Sequence, residues 1–150
     1  MEAHQIVNQK AEQEIRMQLI DPGCSLTKGT PGSSGWDLKA RYTIEIPNGT
    51  TVRVPVGIAL SLPQYWEAQI RPRSSSRKNR HIIEWGTIDS DYRQEIEVQV
   101  TALNGPVLIT EYQRIAQIVF VPVPPIKPVY TVGVTDEITE RVGGFGSTGL

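Results

Sequence analysis

Cysteine is almost missing from this chain. Cys24 is the only one in 150 residues, which excludes an internal disulfide and a cysteine zinc cluster. A lone thiol fits a reducing compartment, so the expected location is intracellular: cytoplasmic or, for a viral chain, in the host cell. Histidine is as scarce, and neither His4 nor His81 is placed for a Ser–His nucleophilic pair. No apolar run approaches the roughly 20 residues that span a bilayer. The opening MEAHQIVNQKAEQ lacks the apolar core of a signal peptide, so no membrane association is expected. Excess charge is absent too: 15 Lys+Arg against 16 Asp+Glu leave a net charge of −1. That balance argues against a nucleic-acid coat protein, which needs a broad basic face to release counterions, and no direct nucleic-acid binding is expected.

What is present is a single domain's worth of chain, with 39% hydrophobic and 21% charged residues, as in ordinary globular proteins. Thirteen Gly and eleven Pro leave little room for long helices. Residues 1–18 hold the best helical window, with Ile6, Val7, Ala11, Ile15 and Met17 loosely spaced by threes and fours. Without a capping residue they read as an N-terminal extension, a frayed helix or disordered. From residue 19 to 121 the chain reads as short strands: Tyr42–Ile46, Thr51–Val54 ending at Pro55, Gly57–Leu62, Trp66–Arg71, Glu95–Thr101, Val107–Thr110 and Ile115–Val121. The run 95–100 alternates strictly, as a strand with one wet and one dry face must. No strand is followed by a ten-residue helical pattern, so parallel βαβ units are not expected and an all-β antiparallel sandwich or barrel is predicted. Residues 122–128 are proline-rich and read as an extended spacer, and residues 122–150 as a separate arm.

Three segments carry candidate chemistry. Gly143–Gly149 encloses Phe145 in glycine and adds Ser147 and Thr148. It reads either as a loose tail or as a backbone that wraps phosphate oxygens, with a ring free to stack on a base. Arg71–Arg80 holds five cations and three hydroxyls. It reads as a solvated basic loop, or as an anion site whose arginine forks match phosphate oxygens. Gly86–Arg93 contains Asp89 and Asp91. The spacing lacks the later Glu of an EF-hand. The two acids are turn formers, or one is a carboxylate that deprotonates a water while Tyr92 packs on a sugar.

Taken together these segments resemble the trimeric dUTPase family, whose five motifs appear here in order. Pro31–Leu38 reads PGSSGWDL, like the family's PGSAGYDL. Pro72–Ser76 reads PRSSS, like PRSGL, and Gly86–Glu95 reads GTIDSDYRQE, like GxIDxDYRGE. Arg114–Ile118 reads RIAQI, like the end of ERIAQ(L/I), and Arg141 with Gly143–Gly149 is similar to RGxGGFGSTG. The chain differs from the pattern in places: Trp36 for Tyr, Ser75-Ser76 for Gly-Leu, Tyr112 and Gln113 for Gly and an acid, and Ile83 where some members have Asn. Arg141 also lies one residue closer to the aromatic than usual.

The resemblance implies a distorted antiparallel jelly roll (a β-clip barrel) in a homotrimer with shared active sites. It implies Mg²⁺-assisted hydrolysis of dUTP to dUMP and pyrophosphate, keeping uracil out of DNA and supplying dUMP for thymidylate synthesis. Asp89 matches the carboxylate that activates the attacking water. Gly86, Thr87 and Ile88 match the backbone that reads uracil, Tyr92 the ring under the deoxyribose, and Phe145 the ring over the base. Arg73, Ser74, Ser75, Gln117, Arg141, Gly146, Ser147 and Thr148 match phosphate-binding positions. Asp37 matches a carboxylate that supports metal-bound waters and neighbouring basic side chains. The fifth motif would close over another subunit's site. The related dCTP deaminase is the alternative within this resemblance. It places a glutamate where Gln99 stands here, and Gln99 cannot act as that base. A dUTP-binding regulatory protein without catalysis is the alternative from another class.

Overall fold

The structure, a computed structural model, describes residues 11–134, 140, 141 and 144. Ten strands follow one another: β1 (Arg16–Leu19), β2 (Trp36–Lys39), β3 (Ile44–Ile46), β4 (Thr51–Ser61), β5 (Trp66–Arg71), β6 (His81–Ile83), β7 (Gly86–Ile88), β8 (Glu95–Ala102), β9 (Val107–Ile109) and β10 (Arg114–Pro122). One sheet has the order β1-β4-β8-β6, the facing sheet β2-β10-β5-β7, and β3 pairs with β9. Every pairing is antiparallel and the sheets stay open, so the molecule is all-β and of the jelly-roll type. Among the described residues no helix is long and apolar enough to cross a membrane.

The core forms where inward faces meet. β8 alternates as its sequence dictates, with Ile96, Val98, Val100 and Ala102 buried and Glu97 and Gln99 exposed. Leu38, Ile58, Ile115 and Ile118 fill the same interior from neighbouring strands. β4 departs from the sequence reading. Pro55 does not end a strand but sits inside one, where the pairing with β8 slips between Pro55 and Ala59. A proline without an N–H is tolerated at such a bulge. Gly57, at φ +68°, supplies the left-handed residue, and its N–H points to the Glu95 carboxylate at 3.4 Å while Arg41 holds the other oxygen at 2.7 Å.

The helical window is the clearest correction. Ala11–Ile15 form no helix, and Arg16–Leu19 are strand β1, paired residue by residue with Ser61–Ile58; residues 1–10 lie outside the described residues. Uncapped, weak helical spacing is overridden by backbone pairing along the open edge of β4. The sheet ends at Pro122, and residues 123–131 add no strand or helix.

The segment that shapes the site is short. β6 is the last strand of one sheet and β7 the last strand of the other, so the chain crosses between sheet edges through Glu84 and Trp85. Two clefts open on either side of that crossing.

Candidate active site

The first cleft, about 330 Å³, lies where β7 and β8 diverge. Gly86, Thr87, Ile88, Asp89 and Tyr92 line it, together with the apolar Ile70 and Ile96. Asp89 and Tyr92 share a turn closed by the Tyr92 N–H donating to the Asp89 carbonyl at 3.1 Å. The Tyr92 hydroxyl donates to the Glu95 carbonyl at 3.2 Å, which holds the ring at the cleft it lines. Among the described residues β7 pairs only with β5, so its other edge of backbone donors and acceptors has no strand partner there. Arg53, Glu97 and Gln99, from β4 and β8, line it as well.

The second cleft, about 660 Å³, is lined by Arg73, Ser74, Ser76, Trp85 and Gln117 among others. Arg73 Nε meets the Asp37 carboxylate at 3.0 Å, and its NH1 donates to the Arg114 carbonyl at 3.3 Å. That double hold sets the guanidinium at the rim as an oriented donor fork. Gln117 donates from Nε2 to the Pro72 carbonyl at 2.9 Å, which ties β10 to the loop carrying Arg73. Gly35 makes room for it: a Cβ there would lie 2.3 Å from Gln117 Oε1. Ser75 is not part of this cleft. The 3-10 turn Ser76–Asn79 brings Ser76 inward instead, where its hydroxyl accepts from the Arg73 N–H at 3.2 Å.

Several sequence-predicted residues are thus brought together, but in two groups rather than one. Gly86, Thr87, Ile88, Asp89 and Tyr92 share the first cleft; Arg73, Ser74 and Gln117 share the second, with Asp37 behind them. Arg141 is exposed and lines neither cleft. Phe145, Gly146, Ser147 and Thr148 lie outside the described residues. Sequence reasoning gave no site role to Arg53 or Trp85, and weighed Gln99 only as the position of the related deaminase's glutamate. Arg53 and Gln99 reach the first cleft only because β4 and β8 pair with those two residues opposite each other. Trp85, 68% exposed, stacks on the Arg71 guanidinium at 5.3 Å, and Arg71 is bound in turn to Gln69.

Two groups outside the clefts have displaced proton affinities. The hydrogen bond from Tyr112 to Asp21, at 3.0 and 3.2 Å to the two carboxylate oxygens, pushes the phenol up from its ordinary value, helped by desolvation. Burial, and then the Asp21 charge, pushes the Cys24 thiol up. No cluster of three or more His, Cys, Asp or Glu able to hold a metal exists among the described residues.

The backbone trace matches solved dUTPases. The Staphylococcus bacteriophage 80alpha dUTPase with dUPNHPP superimposes with a TM-score of 0.81 at 19% identity, over 93% of this chain and 100% of that one. A mutant dUTPase of S. aureus phage phi11, whose structure concerns coordination of a structural Mg(II) ion, gives 0.72 at 18% identity, over 80% and 99%. At the level of sequence, the deoxyuridine 5'-triphosphate nucleotidohydrolase of Maricaulis maris is 41% identical over 130 residues, covering 80% of this chain and 84% of that protein. The enzyme of the same name from Rickettsia prowazekii is 41% identical over 127 residues, covering 81% and 85%. Residues 21–149 match the dUTPase family model, a span that contains both clefts, and the chain belongs to the dUTPase family.

Proposed function

We propose that this protein hydrolyses dUTP to dUMP and pyrophosphate, an activity that keeps uracil out of DNA and supplies dUMP for thymidylate synthesis. The observation that carries the reading is the first cleft, where a carboxylate, a tyrosine ring and an unpartnered strand edge converge. Asp89 accepts the proton of a water aligned for in-line attack on the α-phosphorus. Tyr92 packs under the deoxyribose and leaves no space for a 2′-hydroxyl. The open edge of Gly86–Ile88 reads the base through main-chain groups, which need no particular side chain at Ile83.

A triphosphate carries more charge than Arg53, the one cation among the described residues lining this cleft, offsets. Arg73, Ser74 and Gln117 have the right chemistry but line the other cleft. A triphosphate whose α-phosphorus sits at Asp89 therefore takes its phosphate donors from a second copy of the chain. This favours a homotrimer whose sites are shared between subunits. Residues 19–121 then form the catalytic core and 122–150 an arm that reaches a neighbouring site. There Phe145 covers the base, and Arg141, Gly146, Ser147 and Thr148 close over the phosphates.

Mg²⁺ fits the donor set as an ion held mainly by substrate phosphates and water, since it keeps several waters and needs only one or two carboxylates. Asp37 is the carboxylate placed to take such waters, with one oxygen bound to Arg73. When bound, the ion offsets phosphate charge and polarises the phosphoryl oxygens. Gln99 lines the Asp89 cleft, and an amide there supplies no base for deamination.

The deciding experiment measures pyrophosphate from dUTP with the unaltered chain and with Asp89→Asn. Turnover is expected to fall by at least about 10³-fold while dUMP still binds, because only the proton acceptor has been removed. Undiminished pyrophosphate release by the variant would refute the role of Asp89. Conversion of dCTP to dUTP and ammonia, with no pyrophosphate released, would refute the reaction.

A further inference from the structure

The hold on Tyr92 begins outside the cleft that its ring lines. The tyrosine hydroxyl donates to the main-chain carbonyl of Glu95, the first residue of β8. The carboxylate of the same Glu95 meets the bulge of β4. There the pairing slips, so that the step from Pro55 to Ala59 spans only Glu97 to Glu95 on the partner strand. A bulge leaves main-chain groups without their ladder partners. One of them, the Gly57 N–H, points to a Glu95 carboxylate oxygen at 3.4 Å, while the Gly57 carbonyl accepts from Ile20 and Asp21 at 2.8 and 3.2 Å. Arg41 grips both partners. Its Nη1 meets the other Glu95 oxygen at 2.7 Å, and its main-chain N–H donates to the Pro55 carbonyl at 2.9 Å.

The two side chains are only 27% and 22% exposed, so this ion pair is shielded from the solvent that weakens surface pairs. Neither residue lines the Asp89 cleft or the Arg73 cleft. The pair therefore touches no reacting group, and what it governs is the place of the Glu95 main chain. Arg93 and Gln94 separate Tyr92 from Glu95 and belong to no strand, while the ladder is disrupted next to Glu95 on the other side. The side-chain pair supplies the anchorage that the ladder lacks there. Its effect reaches Tyr92 through one bond. The turn with Asp89 fixes the tyrosine backbone, and the Glu95 carbonyl fixes the far end of the ring.

We infer that Arg41 and Glu95 are positioning residues whose ion pair, seated on the β4 bulge, pins the Tyr92 ring and so sets how strictly the site excludes a ribonucleotide. This rests on the functional reading above, in which Tyr92 packs under the deoxyribose, and adds the remote device that keeps the ring there. Packed protein resists a volume change of even one methylene. A ring tethered at both ends rejects an added hydroxyl for that reason, and a ring free to turn aside makes room for it. Loosening the tether therefore acts on the comparison of the two sugars rather than on the chemical step.

The test measures kcat/KM for pyrophosphate release from dUTP and from UTP by the full-length protein, with direct binding of dUMP and UMP as a second readout. Arg41→Met keeps the apolar stem and removes the charge. It is expected to lower the dUTP-to-UTP ratio by about 10-fold, the low end of what packing discriminates for one small group. Arg41→Lys should recover part of the ratio, because an ammonium still pairs with the carboxylate. Tyr92→Phe cuts the same link at its other end and should lower the ratio as well. In that background Arg41→Met should lower it no further. Glu95→Gln keeps the shape, removes the charge and carries the same expectation, so it decides the matter if the melting temperature shows Arg41→Met to be unfolded. A ratio unchanged in the folded variants, equal losses for the two substrates, or additive losses in the double variant would overturn the inference. Failure of the unaltered chain to release pyrophosphate from dUTP would instead overturn the functional reading, and is visible before any variant is made.

Discussion

Gly35 offers a sharp test of the phosphate-binding role proposed for the second cleft, because it touches nothing catalytic itself. A methyl group at position 35 would lie 2.3 Å from Gln117 Oε1 and 3.2 Å from Gln117 Cβ, so the glutamine must swing away. The backbone there needs no left-handed conformation, so the effect is steric. The stability terms nearly cancel. Losing the Gln117–Pro72 hydrogen bond costs about 1 kcal/mol, and replacing glycine by alanine recovers about 0.4–1 kcal/mol through the unfolded chain. The melting temperature of Gly35→Ala should therefore stay within about 4 °C of the unaltered protein. Activity should not. A hydrogen bond from Gln117 to a charged phosphate contributes about 1.5–3 kcal/mol, so kcat/KM for dUTP should fall by roughly 10- to 150-fold. The double-mutant cycle makes the argument refutable: if Gly35 acts only through Gln117, the substitution costs nothing further in a Gln117→Ala background. Additive losses, or full activity in Gly35→Ala, would show that Gln117 is not what this glycine serves.

Two further outcomes follow from the β4 bulge and the Tyr112 latch. Gly57→Ala places a Cβ 2.7 Å from both Cβ and Sγ of buried Cys24 at φ +68°; left-handed strain of about 1–2 kcal/mol and overpacking of about 1–3 kcal/mol should lower the thermal midpoint by roughly 10 °C, and an unchanged midpoint by circular dichroism would contradict that packing. For Tyr112, a folded-state pKa raised by the bond to Asp21 means a stabilisation fully present below the free phenol's value near 10, and lost as pH rises through the folded value. Denaturant unfolding should therefore separate the unaltered protein from Tyr112→Phe at pH 8 and bring the two together at strongly alkaline pH; a constant gap would refute the latch.

The same contacts explain which parts of the molecule could be read from sequence. Asp89 and Tyr92 are three residues apart and held by their own turn, so local spacing carried their association. β5 and β8 carry their burial in a two-residue rhythm and were legible for that reason. β6 and β7 have three residues each, too few to show a period, yet they form the crossing that defines both clefts. Pro55 misled because a bulge, set by the pairing of β4 with β8, absorbs the missing donor. The Asp37–Arg73 pair and the facing of Arg53 and Gln99 depend on strands far apart in sequence; the first was accessible only through resemblance and the second not at all. Tyr112, where the family usually has glycine, keeps the left-handed turn at φ +63°. Its ring lies over Gly23 and its hydroxyl on Asp21, interactions that offset the strain a side chain meets there.

The charge balance of the clefts bears on how the site is completed. The Asp89 cleft contains one cation, Arg53, against the carboxylates of Asp89 and Glu97. A pocket of net negative charge does not by itself draw a triphosphate, since like charges this close repel wherever water is excluded. The compensating arginine, Arg73, lies beyond Trp85 in a cleft that shares no lining residue with the first. Both clefts are built from one stretch, 71–92, that runs from β5 to the edge of one sheet and then crosses to the edge of the other. Moving Arg73 to Asp89 within one chain would require breaking the β5–β7 or β6–β8 pairing that holds this stretch. Bringing a second chain's Arg73 against the open side of the Asp89 cleft requires no such break. The separation of the two clefts is thus a consequence of the topology, and it is the gap that the proposed sharing of sites between subunits would bridge.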